Sequence, residues 1–251
     1  SNCCRDAGRC IGYVGREERY WKLPSDVFVQ LMRARTLIPP RLNPGNAECK
    51  CNPPFGMPRT GGRGRFEVDQ HHDLECGYKL RLTTYFHDRI RDVLCDAATK
   101  AGMLAAVEQP FAGNRDPEVD ARGDVEVFKC GVRYTFDVAT TVPQSIGAAR
   151  HLPQEAAASR ASYRRKMGKY WHLMHPDEPM PTGAVPPGVR PMVIERSGRV
   201  YWESREALRK LFEGKGDALR NLYRDFSYVA AFVTGLSLSG TYAGRPTPLP
   251  R

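Results

Sequence analysis

The spacing of apolar residues changes from a helical period to a strand period near the middle of the chain. From Leu80 to about Gly102 apolar side chains recur at helical spacing, and Gly102 is a natural helix stop. Three segments rich in β-branched and aromatic residues follow, and they predict strands at 104–108, 124–129 and 132–142. This half of the pattern predicts one helix followed by three strands.

The pattern then returns to helices and one more strand. A helix is predicted at 154–173, alanine-rich at first and then basic, and a short strand at 192–195. Between them, residues 176–191 contain six prolines and are predicted to be loop. Two further helices are predicted at 204–212 and 217–233. The order of elements predicts an α/β fold in which a mixed sheet is flanked by helices.

The regions before this α/β pattern have a different character. One helix is predicted at 24–35, and residues 52–66 are rich in Pro, Gly and Arg and are predicted to be loop. The start at Ser-Asn, without methionine, leads us to expect a piece of a larger polypeptide. The predicted divisions are an N-terminal helical or linker segment at 1–48, a cysteine–histidine segment at 49–79, an α/β domain at 80–238 and a flexible tail at 239–251.

Composition narrows the classes of function without choosing one. The 251 residues are 41% hydrophobic and 26% charged, which is globular composition and excludes disorder throughout, collagen and coiled coils. No apolar run approaches the ~18 residues of a membrane helix. The net charge of +10 suits a polyanionic partner such as nucleic acid, although an ordinary soluble surface explains it equally well.

Two aspartates are predicted to face each other across a β-hairpin. If Cys130-Gly131 is a two-residue turn, paired positions sum to 261, and Asp124 lies opposite Asp137. Opposed carboxylates repel each other unless a cation lies between them, and Mg²⁺ prefers such oxygen ligands. A metal-polarised water at this place is a nucleophile toward a phosphodiester. The alternative is two solvated aspartates at the edge of a sheet.

The helix after the hairpin is strongly basic. Its cations are Arg160, Arg164, Arg165, Lys166 and Lys169, with no acid between Glu155 and Asp177. Lys166, Lys169 and Tyr170 share one helical face, where a lysine can orient a metal-bound water and stabilise transition-state charge. The three arginines are candidates for binding nucleic-acid phosphates. A solvated basic face is the alternative interpretation.

The cysteine–histidine segment has the ligands of a zinc site. Cys49, Cys51, His72 and Cys76 form a Cys₃His set, and His72 and Cys76 are four residues apart, so both project from one side of a helical turn. His71 is the weaker alternative to His72, and unrelated thiols are the alternative to zinc. The remaining cysteines are interpreted as plain thiols or stay unassigned: Cys95 and Cys130 in the first group, Cys3, Cys4 and Cys10 in the second.

The order of these motifs resembles a known family. Cys49-x-Cys51, His72-x-x-x-Cys76, Phe86-His87-Asp88-x-Ile90 and Glu108-Gln-Pro110 are similar to the entry of the restriction-like endonuclease of site-specific non-LTR retrotransposons. Its Pro-Asp and following Asp match Gly123-Asp124 and Phe136-Asp137, and its Lys-x-x-Lys-Tyr matches Lys166 to Tyr170. Val193-Ile194-Glu195 through Gly198 is similar to a strand-and-glycine element of related domains. The resemblance covers roughly residues 49–212.

The resemblance implies a PD-(D/E)XK nuclease fold and a Mg²⁺- or Mn²⁺-dependent enzyme with a structural zinc. Such a domain nicks double-stranded DNA so that the freed 3′ end primes reverse transcription, as part of a nuclear reverse-transcriptase polypeptide. Three departures are visible: Gly123 replaces a proline, Ala139 stands where the general fold has its lysine, and the gap from Asp137 to Lys166 is long. The role of the missing lysine therefore falls to Lys166 or Lys169, and if neither reaches the metal, binding without cleavage is the better interpretation.

Three further residues are considered as additions to this site. Glu126 shares the face of Asp124, but a surface glutamate is the simpler interpretation. Glu108 is a similar secondary candidate, and His87 is expected to pack or hydrogen-bond rather than to catalyse. Two competing functions remain: a catalytically inactive zinc-containing DNA-binding module, and an RNA-processing nuclease.

Overall fold

The computed structural model describes residues 80–112, 114–115, 119–141, 157–182, 186 and 188–239. In chain order, the elements are α1 (Leu80–Lys100), β1 (Leu104–Pro110), β2 (Arg122–Lys129), β3 (Val132–Thr141), α2 (Ala157–Met174), β4 (Val189–Glu195), α3 (Trp202–Leu211) and α4 (Gly216–Ser239). The predicted mixed α/β architecture is confirmed. In the part of the chain described, no helix combines the length and apolar character that crossing a membrane requires.

Several element bounds differ from the prediction. β2 begins at Arg122 rather than at 124, α4 ends at Ser239 rather than at 233, and the starts of β4 and α3 also differ. β4 begins at Val189 rather than at residue 192. Pro191 lies within the strand, and a proline in the sequence favours the prediction of a loop. A strand at the edge of a sheet tolerates a proline, whose missing N–H costs no ladder bond there. α3 begins at Trp202 rather than at residue 204, and the residue before it, Tyr201, makes no side-chain capping bond that would mark the start in the sequence.

The four strands form one sheet in the order β1-β2-β3-β4. β1 with β2 and β2 with β3 are antiparallel, whereas β3 and β4 are parallel. The edge of β4 is covered by α3, where the Ser204 hydroxyl donates to the Pro191 carbonyl at 2.8 Å and accepts the Val193 N–H at 3.0 Å. β1 is the opposite edge, and its first residue, Leu104, is 71% exposed.

The two faces of the sheet carry different side chains. One face packs against the helices α1, α3 and α4 in the main hydrophobic core. Its strand residues are Val125, Val127, Phe136, Val138, Met192 and Ile194. On the other face α2 covers β3 and β4, with Tyr163 packing on Ala139 and Val193. Asp124 and Asp137 alternate with the core-facing residues of their strands, so their side chains lie on the face that α2 covers.

α2 is fixed to the sheet near both of its ends. Near its start, the Ser159 hydroxyl donates to Oε1 of the buried Glu195 at 2.8 Å, and Arg199 also donates to Oε1 at 3.1 Å. In its last half, the Tyr170 hydroxyl donates to the Arg122 carbonyl at 3.1 Å. The residues between these anchors, Lys166 among them, therefore have a defined position over β3.

Candidate active site

The predicted hairpin register is confirmed. The pairs run from Lys129 with Val132 to Val125 with Phe136, and every pair sums to 261. Cys130 and Gly131 both have positive φ, at 49° and 75°, as a two-residue hairpin turn with the twist of the flanking strands requires. The turn therefore sets the alignment that brings the two aspartates together.

The ladder of β2 and β3 ends one pair before the aspartates. Instead of a regular pair, Asp124 Oδ2 accepts the backbone N–H of Val138 at 2.6 Å. The two carboxyl groups are still close enough for the charge of Asp124 to act on Asp137. Their side chains are 19% and 4% exposed, for Asp124 and Asp137 respectively. The alternative of two solvated edge residues is wrong.

Lys166 is the lysine that reaches the pair. Its Nζ lies 2.9 Å from Oδ1 of Asp137, to which it donates, and 2.9 Å from Oδ2. Lys169 lies on the surface, with its Nζ 5.0 Å from the centre of the Tyr170 ring. The geometry separates two residues that the sequence left equivalent.

The pKa values of the two carboxyl groups are shifted in opposite directions. Burial, together with the charge of Asp124, raises the pKa of Asp137 to about 6, although Lys166 acts in the opposite direction. Burial also acts to raise the pKa of Asp124, but the hydrogen bond and charge of His87 outweigh it, so its pKa is lowered. Asp124 is thus the more stable anion, and Asp137 carries the unfavourable charge.

One oxygen of Asp137 makes this site suitable for a hard cation. Oδ2 is fully buried and, despite its nearness to Lys166, has no aligned hydrogen-bond partner among the described residues. No group of three or more His, Cys, Asp or Glu side chains converges within the described ranges. Mg²⁺ typically uses one or two carboxylates and completes its shell with water and substrate phosphate. A carboxylate pair with a buried oxygen that has the Lys166 ion pair but no hydrogen bond from the described part of the chain fits that requirement.

His87 contacts the pair from α1. Its Nε2 lies 3.2 Å from Asp124 Oδ2, and its Nδ1 lies 3.2 Å from Asp88 Oδ1. The hydrogen bond with Asp124 raises the pKa of His87 above its ordinary value, despite burial. A histidine held between two carboxylates orients Asp124, in agreement with the expected hydrogen-bonding role.

Tyr170 lies beneath the pair as a buried phenol. Its ring packs edge-on against Phe111, with centroids 4.8 Å apart and planes at 80°. Burial, followed by the charges of Asp137 and Asp124, raises its pKa, so the hydroxyl stays protonated at neutral pH. It therefore cannot serve as a base, and its bond to the Arg122 carbonyl makes it a positioning residue for β2 and α2.

The three candidate phosphate-binding arginines lie in the first half of α2, before Lys166. Arg164 and Arg165 are exposed, while Arg160 is half-buried. Arg160 and Arg164 are close enough to Glu203 of α3 to affect its pKa, whose net direction is upward because burial dominates. The exposed positions of Arg164 and Arg165, within two residues of Lys166, suit phosphate contacts, and Arg160 lies more than one turn before Lys166.

The two secondary carboxylate candidates lie elsewhere. Glu126 is only 2% exposed, so the interpretation of a surface glutamate is wrong. Its Oε1 accepts from Arg133 Nε at 2.9 Å, a partner on β3 that the sequence analysis missed. Glu108 is exposed and pairs with Arg91 of α1, in a left-handed backbone conformation with φ of 53°.

Gly123 is required by a close approach rather than by its φ. A Cβ at this position would lie 2.3 Å from Cγ2 of Thr135, a buried β-branched side chain on the neighbouring strand. The proline of the family pattern would meet the same methyl group. The departure at residue 123 therefore matches the local packing of this chain.

We expect Gly123→Ala to lower the free energy of unfolding by about 1–3 kcal/mol, because the overpacked methyl groups must move apart. Thr135→Ser removes Cγ2 and leaves the Thr135 Cβ at an ordinary 3.7 Å. The double variant should regain more than half of the loss in urea unfolding. A Gly123→Ala protein as stable as the parent would contradict this packing.

The zinc candidates Cys49, Cys51, His71, His72 and Cys76 lie outside the described residues, as do the unassigned cysteines and the predicted helix at 24–35. The sequence matches no protein-family model, and no curated protein matches it either. What can be said of the function therefore rests on the hairpin, α2 and the motif order.

Proposed function

We propose that this chain is a metal-dependent DNA endonuclease with a PD-(D/E)XK-type fold and an N-terminal zinc knuckle. The carrying observation is the contact of Lys166 Nζ with the buried Asp137, beside the half-buried Asp124. Two carboxylates and one lysine in contact are the groups that hydrolysis of a phosphodiester requires: ligands for a cation, and a donor for developing negative charge.

The residues divide the chemistry between them. Asp124 and Asp137 would hold Mg²⁺ or Mn²⁺, and the ion, when bound, polarises a water for attack on phosphorus. Lys166 donates hydrogen bonds at the attacking water or at a non-bridging phosphate oxygen, where charge accumulates in the transition state. His87 holds Asp124, and Tyr170 fixes β2 against α2. Each group acts from a position that the fold determines.

The exposed cations of α2 supply the substrate's binding site in this proposal. Arg160, Arg164 and Arg165 bind backbone phosphates on either side of the scissile bond, with Lys169 at the rim. Such contacts release counterions, so binding should weaken steeply with salt. Together with the resemblance, this supports double-stranded DNA as substrate, within a larger nuclear reverse-transcriptase polypeptide that uses the nick as a primer.

The test is nicking of supercoiled plasmid by the 251-residue chain. We expect open circles in Mg²⁺ or Mn²⁺ and none when neither ion is added, since the water needs a polarising ion. Salt-sensitive plasmid binding without nicking in either ion would instead support an inactive zinc-containing DNA-binding module. Faster cleavage of RNA than of duplex DNA would support an RNA-processing nuclease.

A further inference from the structure

An exposed tryptophan lies at the start of α3, near the basic first half of α2. Trp202 is the first residue of α3 and is 61% exposed, whereas Ser204, Leu208 and Leu211 form the buried side of that helix. A tryptophan side chain offers a large flat apolar surface that proteins usually bury. Most of that surface is here left to solvent.

A line of packed aromatic rings joins this indole to the catalytic region. The rings of Trp202 and Tyr201 have centroids 6.0 Å apart, and those of Tyr201 and Tyr163 are 5.4 Å apart. Tyr201 and Tyr163 pack on Ala139, which follows Asp137 by two residues on the same strand face. Tyr163 also precedes Lys166 by three residues, about 4.5 Å of helical rise. The indole thus belongs to the α2 side of the sheet.

The surroundings of the indole are positive. Arg160 and Arg164 of α2 act electrostatically on Glu203, the residue next to Trp202, and Arg160 also hydrogen-bonds to Tyr201. Arg160 and Arg164 therefore lie near the start of α3, where they bring cations close to an exposed ring, the combination that binds single-stranded nucleic acid.

We propose that Trp202 stacks on an unpaired nucleobase of the strand being cut, while the arginines of α2 bind its phosphates. The inference rests on the nucleic-acid half of the proposed function and specifies the substrate further. A base within a duplex has both faces covered by its neighbours, so a solvent-facing ring gains contact only with a base that is unstacked, frayed or terminal. The favoured substrate is therefore DNA that is locally open beside the scissile phosphate.

Binding measurements without added Mg²⁺ or Mn²⁺ test this without cleavage. Trp202→Ala should weaken the affinity for a single-stranded oligothymidylate about tenfold, since stacking is worth a large factor per base. It should change the affinity for a relaxed closed-circular duplex, which has no terminal bases, by less than twofold. Trp202→Phe, which retains a ring, should recover part of the loss. Leu104→Ala removes an exposed apolar side chain from the far edge strand and is the matched control.

Arg164→Ala separates stacking from charge. It should weaken single strands and duplexes alike and lower the salt slope by about one phosphate contact. Equal losses for both substrates in Trp202→Ala, or no loss at all, would overturn the stacking inference even if the protein nicks plasmid. Conversely, if the protein never nicks DNA but binds single strands in a way that depends on Trp202, the stacking inference would be supported and the proposed nuclease function refuted.

Discussion

Lys166→Ala is expected to lower the rate of plasmid nicking about 10²- to 10³-fold, the usual effect of removing one donor to developing transition-state charge. The structure gives the reason, because Lys166 Nζ lies 2.9 Å from both oxygens of Asp137. Its loss removes a hydrogen-bond donor from the site and also leaves Asp137 without its cationic partner. Initial rates at saturating Mg²⁺ measure the effect.

Lys169→Ala is the matched control for that measurement. It removes the same charge from the same helix, but Lys169 lies over the Tyr170 ring rather than on the carboxylate. We expect its effect on the rate to stay within a few-fold and to disappear at saturating DNA, because an exposed phosphate contact acts on binding. Similar rate losses in both variants would mean that contact with Asp137 is not what matters.

The hairpin could be predicted from sequence because a two-residue turn and strict alternation leave one register. Cys130-Gly131 sets the pairing, and the parity places Asp124 and Asp137 on one face. The choice between Lys166 and Lys169 could not be predicted in the same way. Residues three apart on a helix differ in direction by only about 60°, so both fit one face until packing sets the rotation of α2.

Other features could not be predicted from the sequence because they depend on contacts that only the fold makes. The burial of Glu126 depends on Arg133, which reaches it diagonally across the hairpin, and opposite charges at such positions are a usable signal. Pro191 hid the first half of β4, since a proline in a short apolar run favours loop. The local sequence offers Glu195 a partner in Arg199, four residues later, but its contact with Ser159, 36 residues earlier, could not be predicted locally.

Asp137→Asn is expected to abolish nicking and yet to stabilise the fold in EDTA. The folded protein raises the pKa of Asp137 from 3.8 to about 6, which corresponds to about 3 kcal/mol against the charged form at neutral pH. Asparagine removes that charge and keeps an acceptor for Lys166. Allowing for the weaker contact with Lys166, the free energy of unfolding at pH 7.5 should rise by about 1–2 kcal/mol.

The pH dependence gives this prediction a sign. A group whose folded pKa is raised contributes stability below its unfolded pKa, and that contribution is lost as pH rises through the folded pKa. The advantage of the variant over the parent should therefore be absent near pH 4 and develop by about pH 6. Urea unfolding at several pH values measures it, with Asp120→Asn, at a side chain 71% exposed, as the control.

Magnesium should reverse the order of the two proteins. An ion that binds only the folded parent stabilises it by mass action, whereas a variant lacking one of the two anionic ligands gains little. The parent's midpoint should rise with Mg²⁺ concentration while that of Asp137→Asn stays almost constant. If the variant is less stable than the parent in EDTA, or gains as much stability from Mg²⁺, then Asp137 is a structural partner of Lys166. A carboxylate that serves as a cation ligand is expected instead to destabilise the fold while the ion is absent, through its burial and the charge of Asp124.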